Sequence, residues 1–208
     1  MKDVLLVGSG GLAQEIAHWA SGYFNFIGYT GKILEKGSVL SFPKTHFSED
    51  SINPTIAKTS NAFIAVASPE IRKKLYHLYK LKGFQFPNFI DASSRITSSV
   101  KLKEGVFIGP NCVVSSNVCI GICSLINFQC GLGHDAKICD FVQVNPGAQV
   151  GGNVTIGDGT LIGSNATILQ GIKIEKDVIV ASGATVFKKV EEGITVMGNP
   201  ARKLKSFT

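Results

Sequence analysis

From Ile90 to Val186 the chain places an aliphatic residue at every sixth position without a slip, beginning Ile90, Ile96, Leu102, Ile108 and ending Ile174, Val180, Val186, seventeen in succession. An amphipathic helix repeats its apolar residues about every 3.6 positions and a strand every two, so a strict six fits neither. A second, mostly small series follows each slot by four: Val106, Cys112, Val118, Ser124, Cys130, Ala136, Val142, Ala148, Val154. A glycine or asparagine often follows it by one, as at Gly109, Gly121, Asn127, Gly133, Asn145, Gly151, Gly157 and Gly163. The pattern predicts a parallel β-helix in which three six-residue faces close each coil and the aliphatic slots stack in columns inside a triangular prism. Cys112 and Cys130, one coil apart, then lie one above the other as small core fillers. Such a stack has two open ends that need caps.

The first 87 residues follow a different grammar. "DVLLVGSGGLAQEIAHWA" reads as an apolar strand, a glycine-rich turn and a helix with Leu12, Ile16 and Trp19 at helical spacing. "NAFIAVAS" reads as a second buried strand, and "PEIRKKLYHLYKLKG" as a helix opened by proline and closed by Gly83. Alternating strand and helix predict a small parallel α/β domain. The segment from Gly31 to Ser60 carries weak signals and is left unassigned. In "GSGGLA" the glycines let a phosphate approach the backbone at a helix N-terminus. The dinucleotide fingerprint is nevertheless incomplete, because Ala13 replaces its third glycine and "FIGYTG" offers no acid for a ribose, which argues against NAD.

With 17% charged and 44% apolar residues among 208, the chain belongs with folded proteins. It lacks a leader-like start and any run of eighteen apolar residues, which predicts a cytoplasmic protein without a membrane span. Five cysteines, an odd number without paired CxxC units, read as reduced thiols rather than a metal site. A net charge of +6 favours an anionic partner. The lysines are dispersed and no basic run is interleaved with aromatics, so phosphate-bearing small molecules fit better than nucleic acid.

The chemistry gathers at "GLGHDAKICD". One coil beyond His134 lies Gly152 and two coils beyond lies Gln170, so these positions share a corner of the prism. A neutral imidazole there can take a proton from a nucleophile, and a backbone N–H freed by a turn can stabilise an oxyanion. Asp135 can orient the imidazole; Asp140, one face further on, is the weaker candidate. A lone turn histidine is ordinarily a solvated residue, and His18, His46 and His77 are read as surface or packing. Arg72, near the start of the second helix, is read as a solvated charge or a nucleotide contact.

The period-six prism, "INFQCGLGHDAKICDFVQVNPGAQVGGNVTIGDGTLIGSNATILQGIKI" and the ending "VMGNPARKL" together resemble the hexapeptide-repeat acyltransferases. With the glycine-turn domain in front, the chain resembles the PglD/NeuD-type sugar acetyltransferases. The resemblance implies a Rossmann-like sugar-nucleotide domain (1–87), a left-handed β-helix acyltransferase domain (88–190) and a coenzyme-proximal tail (191–208). It further implies a homotrimer binding acetyl-CoA between neighbouring prisms, without a metal. The family's catalytic histidine falls on His134, its acidic partner on Asp135, its oxyanion donor on Gly152 and a polar cleft position on Asn127. Coenzyme contacts fall on Gly152, Gln170, Ser182, Lys188, Gly198, Asn199, Pro200 and Arg202, with Lys189 and Lys203 as further basic neighbours. Gly8, Ser9, Gly10, Gly11 and Arg72 fall on the side of the nucleotide's diphosphate. Leu12 and Gln143 stand where many relatives carry histidines. The implied reaction is N-acetylation of a nucleotide-linked 4-amino-4,6-dideoxy sugar for surface polysaccharide or glycan synthesis. The alternative is O-acetylation of sialic acid or a related sugar.

Overall fold

The structure is a computed structural model describing residues 1–33 and 42–204, and it divides into two compact units, Met1–Phe89 and Ile90–Thr208. In the first unit, strands β1 (Lys2–Val7), β2 (Phe24–Thr30) and β3 (Ala62–Ile64) form a parallel sheet in the order β2-β1-β3. Val4 to Val7 are fully buried, as expected of a central parallel strand. Helix α1 (Gly11–Trp19) follows the glycine turn, and its buried side is Ala13, Ile16 and Ala17; Leu12 and Trp19, expected on that face, are half-exposed. Two small alanines let the helix sit closer to the sheet than a leucine and a tryptophan would allow. Gly8 has φ +123°, and a Cβ there would lie 2.8 Å from the Ala65 carbonyl oxygen, so the turn requires glycine.

Part of the unassigned segment now has a place. Tyr29 donates to Thr45 O and accepts from Phe47 N, both at 2.8 Å, which sets residues 45–47 beside β2. A short helix α2 (Pro54–Ala57) is capped by the Asn53 side chain. Residues 34–41 of that segment, like 205–208 of the expected tail, lie outside the described residues. Helix α3 (Pro69–Leu81) starts at proline behind a Ser68 cap, and Gly83 at φ +90° lies just beyond its end. Arg72 corrects the reading of a solvated charge: it is fully buried, donating to Val66 O (2.7 Å) and Ala67 O (2.8 Å). Its guanidinium holds the loop after β3.

In the second unit, seventeen two-residue strands run from Phe89–Ile90 to Thr185–Val186 among the described residues, and the second residue of each is an aliphatic slot. Parallel pairing joins each strand to the one eighteen residues on: Ile126 to Ile108 and Val144, Leu132 to Val114 and Val150, Ile138 to Ile120 and Ile156. From Ile108 to Val186 every slot is buried, whereas Ile90 at the open end stays 37% exposed. The small residues four after each slot also face inward, and where they are polar they hold the wall. Ser124 Oγ donates to Cys139 O and accepts from Val142 N, and Thr160 does the same with Glu175 O and Val178 N. Cys112 and Cys130 donate to Asn127 O and Asn145 O, and all five cysteines are free thiols.

From slot Leu102 to slot Val180 the corners are made three residues after the slot, where the backbone turns left-handed. Asn111, Asn117, Gln129, Asp135, Phe141, Gly147, Asn153 and Gly159 all lie between φ +56° and +73°. The glycines one after the slot serve another purpose: they make room for the next coil, so a Cβ on Gly163 would meet the backbone of Ala181 and Ser182. After Val186 the step shortens, because Ile179 pairs with Thr195 and Ile174 with Val190, sixteen residues on. Strand Thr195–Met197 then turns back through Asn199–Pro200 into the antiparallel Arg202–Lys203. The expected coenzyme-proximal tail therefore pairs back on the last coil, with Ala201 N on Thr185 O.

Candidate active site

His134 stands two residues after slot Leu132, and Gly152 holds the same place one coil on. Asn153 N donates to the His134 carbonyl and Asp135 N to Ser116 O, so the backbone carrying the imidazole is tied to the coils on both sides. The imidazole lies flat over Gly152: a Cβ built there would be 2.6 Å from Nε2, 2.7 Å from Cε1 and 2.9 Å from Cδ2. Only a glycine leaves the ring this seat.

Asp135 occupies the left-handed corner at φ +60°, a conformation aspartate tolerates better than most residues. That corner turns its carboxylate back toward its neighbour, and Oδ2 lies 2.8 Å from His134 Nδ1. An ionised carboxylate only accepts, so Nδ1 carries a proton, and in the neutral imidazole Nε2 is then the nitrogen with the lone pair. Asp135 Oδ1 accepts from Asn117 Nδ2 at 3.1 Å, across one coil. The bonds from His134 and then from Asn117 hold the Asp135 carboxyl below the usual carboxylate range. Both side chains of the pair remain half-exposed, at 53% and 45%, as a base that must meet a substrate requires.

The amide of Gly152 completes the site. At five equivalent positions that donor is occupied or missing: Ile122 N bonds Asp140 Oδ1, Phe128 N bonds Asn127 Oδ1, Asp140 N bonds Asp158 Oδ1, and residues 110 and 146 are prolines, whereas the amides of Ser116, Ser164 and Ser182 are as unpaired among the described residues as that of Gly152. Gly152 N makes no hydrogen bond among the described residues. A base nitrogen on a half-exposed ring and an unpaired donor on the buried glycine beneath it thus stand close together at one corner, the pair that general-base attack on an acyl group requires.

The other expected residues are distributed more widely. Asn127 is 7% exposed and its Oδ1 caps Phe128 N; no described hydrogen bond joins it to His134. Gln143 is buried and donates to Asn145 Oδ1. Asp140 is ion-paired with Lys103 at 2.9 Å on the next face, away from the imidazole. Gln170 and Ser182 are exposed on the coils beyond. Lys188 lies three coils from His134 on the same corner, about 14 Å at ~4.8 Å per coil. Lys188, Pro200 and Arg202 line a groove of about 800 Å³ together with Phe187 and Lys203. Gly198 and Asn199, in the turn before Pro200, are exposed. Lys189 also borders the groove, but its ammonium is committed to Glu175 (3.1 Å) and Glu191 (3.2 Å). In the first unit, Gly8, Ser9, Gly10 and Gly11 lie together at the end of β1, and the space where side chains would extend from Gly10 and Gly11 is open. His46 donates to Gly31 O and packs edge-on to Tyr29, so it braces the end of β2. Among the described residues no group of three His, Cys, Asp or Glu side chains is placed to hold a metal.

Asn117 had no sequence signal beyond its corner position, since a link to Asp135 appears only when the coils are counted at both residues. The status of the Gly152 amide was equally hidden, because it depends on what the neighbouring side chains do.

Comparison with known proteins adds four findings. The profile of the bacterial transferase hexapeptide (six repeats) matches residues 135–170 and 153–188. GDP-perosamine N-acetyltransferase of Escherichia coli O157:H7 is 35% identical over 147 residues, 68% of this chain and 66% of that protein, just under two thirds of its length. Among solved structures, a variant of perosamine N-acetyltransferase from Caulobacter crescentus in complex with CoA and GDP-perosamine superposes with a TM-score of 0.92. It is 23% identical, covering 99% of this chain and 98% of that one. WeeI from Acinetobacter baumannii AYE gives 0.85 at 28% identity, covering 98% and 100%.

Proposed function

We propose that the chain is an acetyl-CoA-dependent N-acetyltransferase of the hexapeptide-repeat kind acting on a nucleotide-linked amino sugar, a reading supported by the matched hexapeptide segment and by the likeness to GDP-perosamine N-acetyltransferase. The observation that carries the reading is the pairing at one corner of His134, held by Asp135 with Nε2 free, and the unused Gly152 amide. The sugar amine attacks the thioester carbonyl directly, and His134 Nε2 takes its proton as the tetrahedral species forms. The Gly152 N–H holds the oxyanion, and collapse expels the coenzyme thiolate, to which the imidazolium returns the proton. Charge is conserved and no acetyl-enzyme forms.

The groove beside Lys188, Arg202 and Lys203 suits the coenzyme phosphates, and the turn from Gly8 to Gly11 suits the diphosphate of the sugar nucleotide. Relatives named for GDP-perosamine favour an amine over a hydroxyl acceptor and make a GDP-linked amino sugar the first substrate to try. The face leading to the His134 corner also exposes Val113 (57%), Leu169 (38%) and Phe187 (52%). Neighbouring copies in a homotrimer would cover these side chains and close the coenzyme cleft. A cytoplasmic role in surface polysaccharide or glycan synthesis completes the proposal; among the described residues no helix is long and apolar enough to cross a membrane.

The test is thiol release from acetyl-CoA across GDP-, UDP- and dTDP-linked 4-amino sugars, with the matching hydroxy sugars and sialic acid as controls. Turnover only with amino sugars is expected. His134→Ala should lower kcat by about 10²–10⁴-fold, the usual share of general-base help, with an unchanged circular dichroism spectrum. Near-wild-type turnover in that variant would remove His134 from the chemistry.

A further inference from the structure

We propose that Asn117 is a positioning residue for the active-site pair, acting one coil away through Asp135; this rests on His134 being the base. Its Nδ2 donates to Asp135 Oδ1 at 3.1 Å, while Oδ2 of the same carboxylate bonds His134 Nδ1 at 2.8 Å. The two oxygens are thus spoken for by different partners, and the carboxylate plane is fixed at both ends. With only the His134 bond, the exposed Asp135 carboxylate would be free to rotate about its Cβ–Cγ bond and offer the imidazole either oxygen or water.

The corner backbone does not by itself explain the amide. Asn117 sits at φ +60°, but equivalent corners are made by Cys123, Gln129 and Phe141 at φ +48° to +59°. The fold therefore accepts unrelated side chains at this place. Among the corner asparagines 111, 117, 153 and 165, Asn117 alone has a described side-chain hydrogen bond to a carboxylate. Its own backbone is anchored from below, where Ser99 Oγ accepts from Asn117 N at 2.9 Å. The donor is consequently presented from a tethered corner rather than from a loose turn. The amide also bears on the charge of the pair, since its bond contributes to holding the Asp135 carboxyl in the ionised form that keeps Nδ1 protonated.

Two variants separate this role from a structural one. Asn117→Gly keeps the left-handed corner, which glycine adopts freely, and deletes only the amide. Asn117→Asp keeps a corner-compatible residue of the same size but places a second carboxylate against Asp135. For Asn117→Gly, kcat should fall about tenfold, with KM for both substrates within twofold and the melting temperature within a few degrees. For Asn117→Asp, the added negative charge stabilises the imidazolium, so the acidic limb of the kcat profile should move to higher pH by roughly half a unit or more. The same displacement should appear in an NMR titration of the His134 ring in the free enzyme. That readout needs no turnover, so it stands even if the acetyl-transfer reading fails, and the two failures remain distinguishable. The proposal is overturned if the His134 titration is the same in wild type and Asn117→Asp. It is equally overturned if Asn117→Gly keeps full kcat in an active enzyme, or loses it only in step with unfolding.

Discussion

Gly152→Ala puts the smallest possible perturbation at the centre of the site. The three atoms nearest to the added methyl all belong to the His134 ring, at 2.6, 2.7 and 2.9 Å. Carbon atoms in ordinary contact settle at about 3.5–4.0 Å, so the ring must retreat by about 1 Å. Gly152 is not one of the left-handed residues, so alanine brings no backbone strain, and the nearest atoms include no main chain. The imidazole is half-exposed and free to swing outward, but the swing strains its 2.8 Å bond to Asp135. Misplacing a reacting group by 1 Å costs on the order of 10²-fold in rate. Thiol release from acetyl-CoA should therefore fall about 100-fold in kcat, while the unfolding free energy from urea titration stays within about 1 kcal/mol of wild type. The backbone N–H survives in alanine, so the loss reports the seat of the ring and not the oxyanion donor. Gly163→Ala is the matched control, since its Cβ meets the main chain of Ala181 and Ser182. It should lose about 1–3 kcal/mol of stability with little change in kcat per folded molecule. Wild-type turnover by Gly152→Ala would refute the reasoning, because a ring displaced that far would then be irrelevant to the rate.

Three further outcomes are expected. Asp135→Asn keeps a corner residue of a kind the helix already uses at 111, 117, 153 and 165 but turns an amide toward Nδ1; kcat should fall at least about 10²-fold with the melting curve unchanged. Ser124→Ala removes the hydroxyl shared by Cys139 O and Val142 N inside the prism, and urea titration should show a loss of about 1–3 kcal/mol with kcat preserved. Burial pushes the Tyr79 phenol up to about 12, although its bond with Thr30 opposes the shift. The folded state thus holds that proton more tightly than the unfolded chain, and stability should be flat at neutral pH and fall as pH rises from about 10 to 12. Tyr79→Phe should remove this alkaline slope, at a cost of about 1 kcal/mol at neutral pH for the unpaired Thr30 hydroxyl. An unchanged slope in denaturation curves at pH 10 to 12 would show that another group is responsible.

The β-helix was legible because its information is one-dimensional. A period of six fixes which residues face inward and which residues stack, so the register of eighteen, the buried columns, the Cys112–Cys130 stack and the placing of His134 above Gly152 all follow from counting. The corners were less legible, since the left-handed position tolerates Gln129 and Phe141 as well as glycine, and the conspicuous glycines mark close coil contacts instead. In the first unit, Arg72 misled because helical position says nothing about whether a guanidinium faces solvent or two buried carbonyls. The sequence by itself determined a coiled prism with one histidine on its corner. Tertiary structure alone decided that Asp135 turns to Nδ1, that Asn117 grips its other oxygen, that Gly152 keeps a spare donor while Ile122 and Phe128 do not, and that Lys189 is spent on Glu175 and Glu191. Periodicity sets where a residue stands, but which partner satisfies a polar group depends on side-chain directions across neighbouring coils, and no count along the chain contains them.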